Sequence, residues 1–142
     1  MGSAEIAALE GTIDRWGAGW SAGDTEKLLG IFTDDVYYED VAFGTIFTGK
    51  EQLRDFANAA FGAFPGMTFE VTSRVVGSNG AAGAFEWMWR GRQIQDFPGL
   101  PATNTPFQIR GAAIVEFRDG KISRCSDYWD LTAYLKQVGL TK

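Results

Sequence analysis

With 142 residues, 45% of them apolar and 14% aromatic, the chain is long enough to bury one core and too short for two ordinary domains, so a single domain over residues 1–142 is expected. A net charge of −5, with no basic cluster beyond "WRGR", argues against nucleic acid as a partner. The absence of histidine excludes Ser-His-Asp and Cys-His relays and HExxH zinc sites, so acid/base work falls to carboxylates, tyrosines or lysines.

From Ala4 to Ala22, the residues Ile6, Leu9, Ile13, Trp16 and Trp20 recur at three- and four-residue steps, the stripe of an amphipathic helix. The "SAGD" that follows ends it with a glycine and offers Asp24 as N-cap for a short second helix, "TEKLLGIF". "TDD" breaks that helix and "VYYEDV" reads as a strand. "TGKEQLRDFANAAFGAF" is a third helix with Leu53, Phe56, Ala60 and Phe64 on one side, stopped by Pro65 and Gly66.

Strands dominate the remainder. "MTFEVTSRVV" alternates, "NG" marks a turn, and "AAGAFEWMWRGRQI" carries Phe85, Trp87 and Trp89 on one face. "QDFPGLPATNTP" is a loop, "FQIRGAAIVEF" and "KISRCSDYW" form a hairpin about "RDG", and "LTAYLKQVG" is a small closing helix. The order describes an α+β domain in which three N-terminal helices sit in a curved antiparallel sheet shaped like an open cone, with a short C-terminal helix. An apolar cavity with a few convergent polar groups is then the expected site for a small hydrophobic molecule.

No apolar run reaches the roughly 20 residues of a membrane span and no secretion signal is visible, so no membrane is expected as a partner and the cytoplasm is the expected compartment. The single Cys125 cannot close an internal disulfide and reads as a small buried apolar residue. One cysteine and no histidine leave only oxygen ligands for a metal, and no DxDxDG loop is present. Neither a metal nor another cofactor is expected.

The element order, with "AGD", "YYED" and "EFRDGKI", resembles the nuclear-transport-factor-2-like superfamily over essentially the whole chain. Within it the chain is similar to the SnoaL-like polyketide cyclases. Their loop G-T-H-x-G-x-F-x-G-x-P-x-T-G is met by "GRQIQDFPGLPATN", with Phe97, Gly99, Pro101 and Thr103 in place, and their end pattern by "DGKISRCSDYWDLTAYLKQVG". The family histidine is replaced by Gln93, which can orient a carbonyl through its amide but cannot shuttle a proton. The resemblance extends to the ketosteroid isomerases, whose base falls on Asp40, while their tyrosine falls on Trp16 and their second acid near Ala113, so both donors of that site are missing. Dimerisation of two copies through the sheet is also implied by the resemblance.

The candidate acids are Asp130, Asp127 and Asp40. A carboxylate buried against aromatic rings has its pKa raised toward neutrality, which suits a proton shuttle. Asp127 shares a strand face with Cys125 and Trp129, and the isomerase analogy turns that face inward; the cyclase pattern points instead to Asp130, which also precedes a helix and would serve as its N-cap. Tyr38, Gln93 and Arg110 are candidates for holding a carbonyl oxygen, and Trp16, Trp20, Trp87, Trp89, Trp129 and Phe97 for core or cavity wall. The expected function is a cofactor-independent acid/base enzyme acting on a hydrophobic carbonyl compound, by aldol cyclisation, isomerisation or hydration. A non-catalytic binding or dimerisation module is the alternative. An epoxide hydrolase would need Arg110 between Asp40 and Asp127 as an Asp-Arg-Asp set.

Overall fold

The computed structural model describes residues 2–141. Helices α1 (Ser3–Ala22) and α2 (Thr25–Leu29) lead into strands β1 (Phe32–Asp40) and β2 (Thr45–Thr48). Helix α3 (Lys50–Ala63) then precedes β3 (Thr68–Val76), β4 (Ala82–Gly91), β5 (Phe107–Arg118) and β6 (Lys121–Trp129), and α4 (Leu131–Gln137) closes the order. One six-stranded sheet runs β2-β1-β6-β5-β4-β3. It is mixed, which corrects the antiparallel expectation: β1 lies parallel to β6, because the first and last strands enter the middle of the sheet side by side in the same direction. That pairing sets Tyr38 opposite Cys125 and Asp40 opposite Asp127.

Strand β2 was not anticipated. "TIFT" carries no alternation to mark it, but its residues pair antiparallel with Tyr37–Asp40, and Gly49, at φ 83, turns the chain into the helix. Helix α2 ends at Leu29 with Gly30 at its C-cap, so Phe32 begins β1 rather than ending the helix. Asp24 is its N-cap as expected, accepting a hydrogen bond from the Lys27 N–H at 3.1 Å.

The core follows the period of each element. Leu9, Ile13, Trp16 and Trp20 of α1 are buried, and so are Phe85, Trp87 and Trp89 of β4 and Phe107, Ile109, Ala113 and Val115 of β5. On β6 simple alternation fails, since Ile122 and Cys125 are three residues apart and both fully buried. A register shift between Glu116 and Phe117 absorbs the extra residue and brings both inward. Helix α1 lies close on β3 because Gly17 has no side chain: a Cβ there would stand 3.1 Å from the Phe69 carbonyl oxygen.

The irregular segment 92–106 is tied down by one buried amide. Gln93 is 1% exposed; its Nε2 donates to the carbonyls of Leu100 at 2.6 Å and Gln95 at 3.1 Å, and its Oε1 accepts from the Tyr134 hydroxyl at 2.6 Å. Reciprocal backbone bonds between Phe97 and Leu100, at 3.0 and 2.7 Å, close the tip. Replacing Tyr134 by Phe strands the Gln93 oxygen in the interior. The expected outcome is a loss of about 1–3 kcal/mol in denaturant unfolding, with faster amide exchange at Phe97 and Leu100.

Candidate functional site

Strands β1 and β6 meet helices α1 and α3 around a hollow whose wall is aromatic and whose polar groups come from two adjacent strands. The free space is about 50 Å³, room for a few waters and far below the roughly 300 Å³ of an ordinary ligand cleft. Trp20 of α1, Phe56 and Phe64 of α3 and Trp87 and Trp89 of β4 supply the apolar wall. Phe97 of the loop and Phe43 of the turn after β1 stack on one another, with centroids 5.7 Å apart, and form one side.

The strand face carrying Cys125, Asp127 and Trp129 turns inward, while Tyr128 is 47% exposed on the other. Asp127 is buried at the hollow. The Tyr38 hydroxyl donates to its Oδ2, and the Cys125 thiol lies 3.7 Å from its Oδ1. Removal from water pushes the Asp127 carboxyl up to about 7; the bond from Tyr38 opposes that rise, and the charge of Asp40 adds to it. Asp40 is buried beside it on β1 and accepts from the Phe43 N–H at 3.0 Å and the Trp129 Nε1–H at 3.1 Å. Burial raises Asp40 to about 6, its hydrogen-bond donors holding it lower. Burial also drives the Tyr38 phenol and the Cys125 thiol well above their usual ranges, so both stay protonated. The arrangement is two carboxyls able to exchange protons near neutral pH, each steadied by neutral donors, inside an apolar enclosure.

Four expected site residues stand elsewhere. Asp130 is exposed and accepts from the Ala133 N–H at 3.0 Å, which makes it the N-cap of α4 rather than a group in the hollow. Arg110 projects from the opposite face of the sheet, its side chain 79% exposed and 3.8 Å from Glu86, because it alternates with the inward Ile109. Gln93 spends both ends of its amide on the loop and on Tyr134, so neither is free for a carbonyl. Trp16 is fully buried in the core against Phe69 and Phe85 and does not line the hollow. Asp127, Asp40, Tyr38, Trp20, Trp89, Trp129 and Phe97 do line it.

Phe43, Met67 and Phe69 also line it without having been expected. Phe69 was legible in the alternation of "MTFEV", but Phe43 sits in a turn with no periodicity to mark it. Among the described residues, no group of three or more carboxylates or thiols is placed to hold a metal ion. No helix among them is long and apolar enough to cross a membrane.

The family model of the SnoaL-like domain matches residues 13–125 of the chain. The chain belongs to the SnoaL-like domain family. Solved structures agree with this SnoaL-like assignment. A candidate polyketide cyclase from Silicibacter sp. TM1040 is 27% identical, with a TM-score of 0.79 over 93% of this chain and 96% of that one. A candidate SnoaL-like polyketide cyclase from Jannaschia sp. CCS1 is 17% identical with a TM-score of 0.85, covering 100% and 99%. An LEH-like epoxide hydrolase of M. tuberculosis shares the fold at 18% identity and a TM-score of 0.75, covering 96% and 92%. No curated protein matches the SnoaL-like chain.

The raised carboxyls set a pH dependence of stability. A buried acid whose folded pKa lies above its unfolded value near 3.8 favours the native state below that value and loses the advantage as pH rises through the folded pKa. Asp127→Asn cannot ionise. In urea titrations from about pH 4 to about pH 7, the variant is expected to gain on the wild type by on the order of 3–4 kcal/mol.

Proposed function

We propose that the chain is a cofactor-independent acid/base enzyme acting on a hydrophobic carbonyl compound, with Asp127 as the proton shuttle. The observation that carries this reading is the Asp127 carboxyl itself, buried at an aromatic hollow, bonded by Tyr38 and raised to about 7. Near neutral pH such a group is divided between its acid and base forms, so it can remove a proton from carbon beside a carbonyl and return it elsewhere. Tyr38 holds Oδ2, leaving Oδ1, faced only by the long thiol contact, as the oxygen that takes the proton. Asp40 is the second acid: when ionised, it raises the proton affinity of Asp127 through their shared charge. Aldol ring closure, isomerisation and hydration all fit this step, and the SnoaL-like family with its cyclase-named neighbours supports the first.

The hollow is smaller than a bicyclic ligand, so a substrate displaces the Phe43–Phe97 pair on entering. An epoxide-hydrolase mechanism through Arg110 is disfavoured, since that guanidinium lies across the sheet from both acids. A binding module of the same fold is the second reading, favoured by the Gln93 amide being consumed where the family carries histidine. Pairing of two copies through the sheet belongs to the proposal as well, supported by Ile114 and Tyr128 standing 49% and 47% exposed on the outer face.

The test is exchange of the α-hydrogens of 1-tetralone in D2O, followed by NMR with and without protein. The wild type is expected to accelerate exchange, Asp127→Asn to lose about 10²–10⁴-fold of that acceleration, and Asp130→Ala to keep it while losing about 1 kcal/mol of stability. Undiminished exchange by Asp127→Asn removes Asp127 as the shuttle, and no acceleration by the wild type leaves only the binding module.

A further inference from the structure

Three of the buried side-chain polar atoms without a hydrogen-bond partner among the described residues are indole nitrogens, those of Trp16, Trp20 and Trp87. Trp20 and Trp87 line the hollow, each only 3% exposed; Trp16 does not line it. The other polar groups there are already spoken for, with Tyr38 bonded to Asp127, Trp129 to Asp40, and Trp89 to the Met67 sulfur at 3.3 Å. The wall therefore holds two donors that no acceptor of the protein reaches, as a site prepared for an oxygen from outside would.

Backbone placement separates the two. Trp87 is on β4, and its ring lies across β5 at Gly111: a Cβ at that glycine would run into the six-membered ring at Cζ2 and Cη2 and stand 2.7 Å from Cε2. Gly111 is in register with Trp129 on β6, two residues from Asp127 on the same face. The missing side chain at Gly111 thus lets the indole lie over β5, the strand between its own and the one that carries the acid. Trp20, at the last turn of α1, comes from the helical side of the hollow.

We propose that Trp87 is the carbonyl-oxygen donor of this hollow, its indole N–H donating to the oxygen of a flat, uncharged ketone whose adjacent carbon faces Asp127. The catalytic half of this assignment rests on the proton-shuttle reading; the binding half does not. In the reaction, the C–H bond beside the carbonyl breaks, its proton goes to Asp127, and its electron pair forms the enolate double bond while the carbonyl pair moves to oxygen. The negative charge develops on that oxygen, against Nε1–H, and reverses when Asp127 returns the proton. Indole suits the task because it donates without titrating and cannot accept, so it selects a carbonyl oxygen over a hydroxyl proton or an ammonium group. Gly111 is the residue that sets the specificity, by admitting the ring.

The experiment compares 1-tetralone with tetralin, the same apolar body without the oxygen, by ligand-detected NMR titration. Wild type is expected to bind the ketone about five- to tenfold more tightly than the hydrocarbon. Trp87→Phe, which removes no hydrogen bond made within the protein, is expected to erase that ratio, the lost ring area lowering Tm and weakening both ligands alike, and to cut 1-tetralone exchange about 10²-fold. Trp16→Phe, the same chemical change away from the hollow, is expected to preserve the ratio.

A ratio that survives in Trp87→Phe overturns the assignment, as does wild type failing to distinguish the two compounds or to bind either. Loss of the ratio in Trp20→Phe but not in Trp87→Phe also overturns it, in favour of the helix. Full exchange by Asp127→Asn with the ratio still lost in Trp87→Phe sinks the proton shuttle and leaves the donor site standing.

Discussion

One carboxyl group placed out of water governs the rest of this molecule. Asp127 gains the Tyr38 bond, but a single neutral donor does not replace the hydration of a carboxylate, and the group responds by holding its proton to about neutrality. The surrounding structure is arranged so that this cost is bearable. Cys125 and Tyr38 stay protonated and neutral, Asp40 is shared between a backbone amide and an indole, and Arg110, which could have clamped Asp127 as a low-pKa ion, is kept on the far side of the sheet. A guanidinium in the hollow would have given a tighter pair and a poorer base.

The two acids differ in their surroundings. Asp40 accepts two conventional N–H bonds, which favour its charged form and keep it below its neighbour. Asp127 has one hydroxyl bond and a long thiol contact in place of two N–H bonds, and it receives the repulsion of Asp40 when that residue ionises. Raising one group through the charge of another separates their protonation steps, and in the proposed shuttle this separation would leave one member ready to accept a proton while the other holds the field. The aromatic wall contributes by excluding water, without which both groups would drift back toward ordinary carboxylate behaviour.

Much of the fold was legible because its elements obey their periods. The α1 stripe, the Phe85–Trp87–Trp89 face and the β5–β6 hairpin are all written as alternation or three- and four-residue spacing. Strand β2 was hidden because four residues without a buried side chain leave no hydrophobic pattern, and its identity comes from the partner strand's backbone. In the site, Asp127 and Asp40 could be named from their aromatic neighbours, but the bond between Tyr38 and Asp127 depends on the parallel register of two strands 89 residues apart, which no local signal encodes. Asp130 and Gln93 misled for a common reason: a polar residue in a family motif can serve a cap or a loop as well as a reaction, and only partners in space tell which.

The parallel contact of β1 with β6 has a bearing on how the molecule comes into being. Every other neighbouring pair in the sheet is antiparallel, and all four of those pairs, β1 with β2, β3 with β4, β4 with β5 and β5 with β6, join strands consecutive in the chain. The seam that joins Tyr38 and Asp40 to Cys125 and Asp127 instead unites the beginning of the chain with its end, and closing so long a loop is entropically the least favourable pairing in the sheet. Until that seam zips, Asp127 is an ordinary hydrated acid on a hairpin. Its unusual proton affinity is thus a property acquired only by the finished fold, and a chain whose ends have parted reverts to the chemistry of any surface aspartate.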